Sequence, residues 1–279
     1  MTATQRTVAR LVPSMPTSDG AGVRLRRSIG APGLEELDPF LLLDSIGSDE
    51  AADYIAGFPE HPHRGFETVT YMLEGRMRHR DSGGNEGVLV PGGAQWMTAG
   101  RGILHSEMPE QESGRLHGFQ LWVNLPAVRK MTAPRYQNIE PDEIPEVALA
   151  GGGRARVVAG TAFGVTGPVT GIDVDPLFID LRLAPGAQET VAVPDGHTLF
   201  LYGIAGTVLA PQPVPADTLA ILHGSGPAHL TGGDQGAHLL LVAGRPLGEP
   251  VARYGPFVMN THDELVQAVA DLRSGRFLG

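Results

Sequence analysis

An all-β chain of two tandem barrels, closed by one short C-terminal helix, is the fold class this sequence predicts. Three observations lead there. The 279 residues include 38 glycines and 23 prolines, a share that suits short strands and tight turns better than helices. Segments alternating apolar and polar residues recur along the chain, with the period of a strand that has one face buried. The second half also repeats the order of the first: Leu201-Tyr202-Gly203-Ile204-Ala205-Gly206 stands where Tyr71-Met72-Leu73-Glu74-Gly75 stood. A duplicated barrel is the economical account of that echo.

Taken in order, Gly22-Val23-Arg24-Leu25-Arg26-Arg27-Ser28-Ile29 alternates as a strand and leads into Pro39-Phe40-Leu41-Leu42-Leu43-Asp44. A strand-rich block follows from Gly65 to Pro126, in which Phe66 to Gly75 alternates before a turn. The connector from Ala133 to Gly153 collects prolines, acids and a run of three glycines. It marks the boundary between a first domain of residues 1–135 and a second of 136–279. Beyond it Leu177 to Leu183 alternates, Pro185-Gly186 turns, and Thr198 to Tyr202 and Ala237 to Gly244 read as buried strands. No charged side chain occurs between Thr198 and Ala216, but Gly203, Gly206, Pro211, Pro213 and Pro215 interrupt the run, so a buried strand and a loop are expected there rather than a membrane span. Near the end Thr261-His262-Asp263-Glu264 forms a capping box. Leu265, Val266, Val269 and Leu272 then fall at helical spacing, so this helix packs on a barrel and carries no chemistry.

Composition removes several classes of function. There is no cysteine, which excludes disulfides and thiolate metal sites. The formal charge is −10, with 21 basic against 31 acidic residues, a balance that argues against direct nucleic-acid binding. The basic clusters Arg24 to Arg27 and Arg76 to Arg80 read as solvated strand faces. The opening Met1-Thr2-Ala3-Thr4-Gln5-Arg6 lacks the apolar core of a secretory signal, so a cytoplasmic location is expected.

The chemistry concentrates in two short motifs, His61-Pro62-His63 and His105-Ser106-Glu107. Side chains two apart on an extended strand share a face, so each motif can aim two donors at one point. A lone His-x-His pair is more often two surface or hydrogen-bonded side chains than a ligand pair. Here Pro62 stiffens the backbone between the histidines, and both motifs lie beside probable strands. Three imidazoles and a carboxylate suit a first-row divalent metal with open positions, although a closed four-coordinate zinc site could use the same donors. Glu67, four residues after His63, competes with Glu107 as the oxygen donor: an uninterrupted strand carries it roughly 13 Å away, but a bend at Gly65 would bring it back. In the second half Gly186-Ala187-Gln188-Glu189-Thr190 takes the place of the histidine pair. His197, His223, His229 and His238 stand singly and read as structural, so the second domain is expected to bind no metal.

Two segments carry a family resemblance. Phe58-Pro59-Glu60-His61-Pro62-His63-Arg64-Gly65-Phe66-Glu67-Thr68-Val69-Thr70-Tyr71 and Gln95-Trp96-Met97-Thr98-Ala99-Gly100-Arg101-Gly102-Ile103-Leu104-His105-Ser106-Glu107-Met108-Pro109 resemble the signature of the pirin family, within the cupin superfamily. Leu121-Trp122-Val123-Asn124-Leu125-Pro126 and Tyr254-Gly255-Pro256-Phe257-Val258-Met259-Asn260-Thr261 extend the match. From Glu140 to Val193 it holds only in general character.

The resemblance implies a bicupin of two jelly-roll-like barrels with one metal, iron(II) before other first-row metals, in the N-terminal barrel. Its ligands would be His61, His63, His105 and Glu107, with Glu67 behind them. It suggests quercetin 2,3-dioxygenase activity, the opening of a flavonol ring by dioxygen, with Glu107 as catalytic base. Phe58, Phe66, Met97 and Ile103 are the apolar candidates to line a cavity for such an aromatic substrate. The alternative is a non-enzymatic, redox-responsive regulator that binds a protein partner.

Overall fold

The alternation read in the sequence becomes sheets in which every second side chain faces a barrel interior. The structure is a computed structural model that describes residues 6–278. The opening Met1 to Gln5, read above for a leader, lies outside the described residues. The contacts separate two units: Pro16–Pro141 together with the chain from Leu247 onward, and the chain up to Met15 together with Asp142–Pro246. Both are antiparallel β structures, and the one α-helix among the described residues, His262–Arg273, belongs to the first of them. No described helix is long and apolar enough to cross a membrane.

These units differ from a division at 135/136. Strand Arg135–Ile139 pairs with Ala94–Thr98 and so stays with the first barrel. The two ends of the chain also change sides. Thr7–Pro13 pairs with Thr218–His223 in the second barrel, while Leu247 onward packs with the first. Hydrophobic alternation identifies a strand but does not say which sheet edge it will join.

In the first barrel a seven-stranded sheet runs in the order Arg135–Ile139, Ala94–Thr98, Phe66–Glu74, Leu116–Asn124, Phe40–Ser48, Val23–Ile29, Met15–Asp19. A four-stranded sheet runs Phe58–His63, Ile103–Pro109, Met77–Asp81, Glu86–Leu89. Residues of both sheets line one interior cavity. Thr70 and Met72 face it from one strand, Gln120 and Trp122 from the next, and Leu42, Asp44 and Ile46 from the third. Strand period two then sends Glu67, Val69 and Tyr71 to the opposite face.

The C-terminal segment is part of this barrel. Its helix begins at the expected capping box: Thr261 accepts from the Glu264 amide, and Glu264 accepts from the Thr261 amide. Leu265 and Ala268 are buried against Phe257, Met259 and Phe277, while Val266 is 56% exposed. The second barrel is a nine-stranded sheet whose interior is aliphatic: Ile179, Leu181, Leu199, Leu201, Leu239 and Leu241 join one cluster.

Candidate metal centre

Antiparallel register creates the site. Phe58–His63 pairs with Ile103–Pro109 so that His61 lies opposite His105 and His63 opposite Ile103. A register shift follows between His105 and Glu107. The ring centroids of His61, His63 and His105 stand 4.4 to 4.9 Å apart, and one nitrogen of each lies within 4.8 Å of the others. Among the described residues this is the only group of three or more potential ligands so close.

The backbone sets which nitrogens converge. His61 Nδ1 donates to Pro59 O at 2.8 Å, and His63 Nδ1 to Pro256 O at 3.4 Å. Both Nε2 atoms are thereby left as lone-pair donors, and they lie 3.0 Å from each other. Two lone pairs at that distance repel unless a cation or proton stands between them. His105 is buried, and neither of its ring nitrogens has a protein partner. Burial, followed by the neighbouring imidazoles, holds His63 and His105 well below the usual imidazole range and therefore neutral. Neutral, oriented, unpartnered imidazole is the form a divalent metal takes, so the residues present fit such an ion.

Glu107 lies at the same wall but outside the closest triad. Its Oε1 is 2.9 Å from Thr70 Oγ1, and that hydroxyl is 2.7 Å from Gln120 Oε1. One hydroxyl has one proton, so Thr70 donates to Glu107 Oε1 or to Gln120 Oε1 but not to both at once. Burial pushes Glu107 up from the ordinary carboxylate range, against His61 and Thr70, which lower it. Glu67 is also buried, but its oxygens accept from Trp96 Nε1 at 3.0 Å and Thr98 Oγ1 at 2.6 Å. With Gly65 at φ +90°, the chain does bend after His63. The bend nevertheless leaves Glu67 out of phase with the cavity-facing Thr70.

The two residues between His63 and the strand Phe66–Glu74 are fastened from behind. Arg64, 3% exposed, donates to Arg101 O, to Asp271 Oδ2 at 2.8 Å and to Phe277 O at 3.2 Å. Lys130, 1% exposed, donates to Gly65 O, Asn124 Oδ1 and Val258 O at 2.8, 2.7 and 3.0 Å. Burial pushes this ammonium down to about 8. The C-terminal segment thus grips both residues that follow His63 and supplies the carbonyl that orients its ring.

The cavity in front of the histidines measures about 610 Å³, within the range of small-molecule sites. Of the apolar residues anticipated there, Phe58 lines it. Phe66 packs edge-on to His63 and beneath Trp122, while Met97 and Ile103 join a separate small cluster. Trp122, Phe119, Met72 and Arg253 also line the cavity, and sequence reasoning missed them as site residues. Arg27, read as part of a solvated face, is held by Asp44 and Asp19 at the cavity wall. In the other basic cluster Arg76, Arg78 and Arg80 are exposed and paired with Glu86 or Glu110. His79, between them, is buried and stacked on Tyr136.

Two β-barrels, one of them hollow with His61 and His63 of a close histidine triad in its lining, define a bicupin. The chain belongs to the pirin family: residues 22–123 match the family described as pirin, and residues 178–278 match the pirin C-terminal cupin domain. It is 51% identical over 273 residues to the pirin-like protein of Caulobacter vibrioides, covering 98% of this chain and 99% of that one. A crystal structure titled quercetin 2,3-dioxygenase from Acinetobacter baumannii superposes with a TM-score of 0.89 at 34% identity, over 98% of this chain and 99% of that one. The bacterial pirin YhhW of Escherichia coli, solved in complex with nickel(II), shares the fold at 19% identity and a TM-score of 0.68, over 85% of this chain and 98% of that one.

Proposed function

We propose that the first barrel holds one divalent metal, iron(II), on His61, His63 and His105 with Glu107 as the oxygen ligand, and that the chain opens the ring of a flavonol such as quercetin with dioxygen. The observation that carries this reading is the triad itself, with three ligand nitrogens within 4.8 Å of one another, two of them on His61 and His63 in the lining of a cavity of about 610 Å³. The likeness to a quercetin 2,3-dioxygenase supports the substrate class, and the pirin resemblance supports iron among the first-row metals. When bound, such an ion supplies a Lewis acid for a substrate hydroxyl and a redox partner for dioxygen.

The chain's own residues do the rest. Trp122, Phe119, Phe58 and Met72 receive a flat aromatic and exclude water from the triad. Glu107 acts as the base: its Oε1 takes the proton of the substrate hydroxyl and donates toward Thr70 Oγ1, whose own proton turns to Gln120 Oε1. Glu67 fixes Trp96 and Thr98 on the far side of the strand that carries Thr70.

The test joins elemental analysis of protein purified without added metal to oxygen uptake on adding quercetin. The reading expects one iron per chain, and uptake that vanishes in His61→Ala. Stoichiometric metal with no uptake would overturn the dioxygenase assignment in favour of a metal-dependent regulator, and absence of metal would overturn the site.

A further inference from the structure

The charged groups lining the cavity are not equally engaged. Arg27 gives Nε to Asp44 Oδ1 at 2.8 Å and Nη2 to Asp44 Oδ2 at 2.7 Å and Asp19 Oδ2 at 2.6 Å. Its charge is neutralised inside the wall. Glu107 is engaged with Thr70. Arg253, on the strand Ala252–Tyr254, is the other cation of the lining. Its Nη1 donates to Leu41 O at 3.1 Å, and among the described residues no carboxylate oxygen lies within 4.0 Å of it. The guanidinium carbon stands 4.7 Å from the centroid of the Trp122 ring, stacked on it. That indole is in turn 5.2 Å from the His63 ring. Laid end to end, these separations put the Arg253 charge within about 10 Å of a triad ring.

A planar cation fixed against an indole, tied by one edge to a carbonyl and facing an apolar cavity, is a preorganised acceptor for an anionic oxygen. The stacking sets the plane of the fork, which suits a carboxylate better than the point charge of a lysine would. The span from the charge to the triad is one that a single aromatic ring with groups at opposite ends can bridge. Position reinforces this. Arg253 lies three residues before Pro256, whose carbonyl orients His63, so one segment places both the anchor and a ligand.

We propose that Arg253 anchors an acidic oxygen, a carboxylate or an ionised phenol, so that the site selects planar aromatics with an anionic group at one end and metal-binding oxygens at the other. This selection rests on the metal reading above. It also narrows that reading, because a neutral flavonoid of the same shape leaves the anchor unused.

The experiment compares two probes with the same metal-binding end, catechol and 3,4-dihydroxybenzoate, titrated calorimetrically into the metal-loaded full chain and its Arg253→Gln variant. Wild type is expected to bind the benzoate fivefold to tenfold more tightly than catechol at low salt. Arg253→Gln is expected to bring that ratio to about one, and Arg253→Lys to leave it in between. Retained catechol binding shows that the variant cavity is intact. A wild-type ratio near one, or a ratio that Arg253→Gln leaves unchanged, overturns the proposal alone. Failure of wild type to bind either probe overturns the metal reading and the proposal with it.

Discussion

Gly65 and Gly84 have nearly the same backbone conformation, φ +90° and +83°, in very different surroundings. A Cβ at Gly84 meets no heavy atom within 4 Å, whereas at Gly65 it falls 1.9 Å from Val258 O and 2.9 Å from Met259 Sδ. An alanine at either position bears the cost of a left-handed residue, about 1–2 kcal/mol. Both substitutions also narrow the unfolded ensemble equally, so that term cancels in the comparison. At Gly65 the Val258 carbonyl must retreat by at least about 1 Å to reach even the 3.0 Å floor of real Cβ contacts. The retreat breaks the bond from Lys130 Nζ to Val258 O and the bond from the Val258 amide to Arg64 O, each 3.0 Å. One charged and one neutral buried hydrogen bond are together worth about 3–4 kcal/mol. Urea unfolding of the metal-free protein should therefore place Gly65→Ala about 3–4 kcal/mol below Gly84→Ala. Chelator competition should also show weaker metal binding in Gly65→Ala alone, because Pro256 moves with Val258. If the two variants unfold within about 1 kcal/mol of each other, the C-terminal segment is not seated against the ligand-bearing turn and the account of how His63 is oriented fails.

Other consequences can be measured separately. His105→Ala should abolish stoichiometric metal while His223→Ala, at an exposed position of the second barrel, keeps it; elemental analysis decides. Glu67→Gln should lower stability by about 1–3 kcal/mol by disturbing the carboxylate that Trp96 and Thr98 address, yet leave metal content at one per chain; loss of metal would make Glu67 a ligand. Lys130 is pushed down to about 8 from an ordinary 10.5, so the unfolded chain holds the extra proton between those values and stability should rise with pH across that window. The rise amounts to about 3 kcal/mol, and Lys130→Met should lack it in urea midpoints taken from pH 7.5 to 10.5. His63 and His105 are depressed below 6.5, so the metal-free protein should lose stability as pH falls from there, by up to about 1.4 kcal/mol per pH unit for each. His105→Asn should flatten the slope by about half, and an unchanged slope would mean that His105 titrates freely.

Much of this was legible in the sequence because it depends on local pattern. The convergence of His61, His63 and His105 is legible since both motifs lie on strands whose period of two puts alternate side chains on one face, and the capping box at Thr261 is a matter of four consecutive residues. What was not legible depends on long-range pairing. Arg27 reads as one of three arginines on an alternating strand until Asp44 is placed beside it. Met97 and Ile103 lie close to the second motif in sequence but pack in a separate cluster and do not line the cavity, while Trp122, Arg253 and Met72 reach it from strands that no local signal connects to the histidines. The role of Pro256 was hidden for the same reason: 193 residues separate it from His63.

Both barrels are antiparallel β structures, so the fold class does not by itself explain why the histidine triad lies in the first. Side-chain volume and donor placement do. In the second barrel the inward positions of Leu177–Leu183, Thr198–Leu209 and Ala228–Gly244 are mostly Leu, Ile and Val, with Ala228, Ala237 and Ala243, packed into one cluster. The first barrel puts Gly118, Thr70, Gln120 and Asp44 at inward positions, and Arg27 at the wall. Small and polar side chains there leave space that leucines would fill, at a cost in buried apolar area of about 25 cal/mol for each Å² not covered. That loss has to be offset within the same unit. The buried anchors Arg64 and Lys130, and the C-terminal helix that closes over Phe257 and Met259, supply contacts that the aliphatic barrel does not need. On this argument the C-terminal segment belongs to the hollow barrel because hollowness requires it. Grafting leucines at Thr70 and Gln120 should therefore raise stability and make the barrel less sensitive to Gly65→Ala, even as metal and aromatic binding are lost.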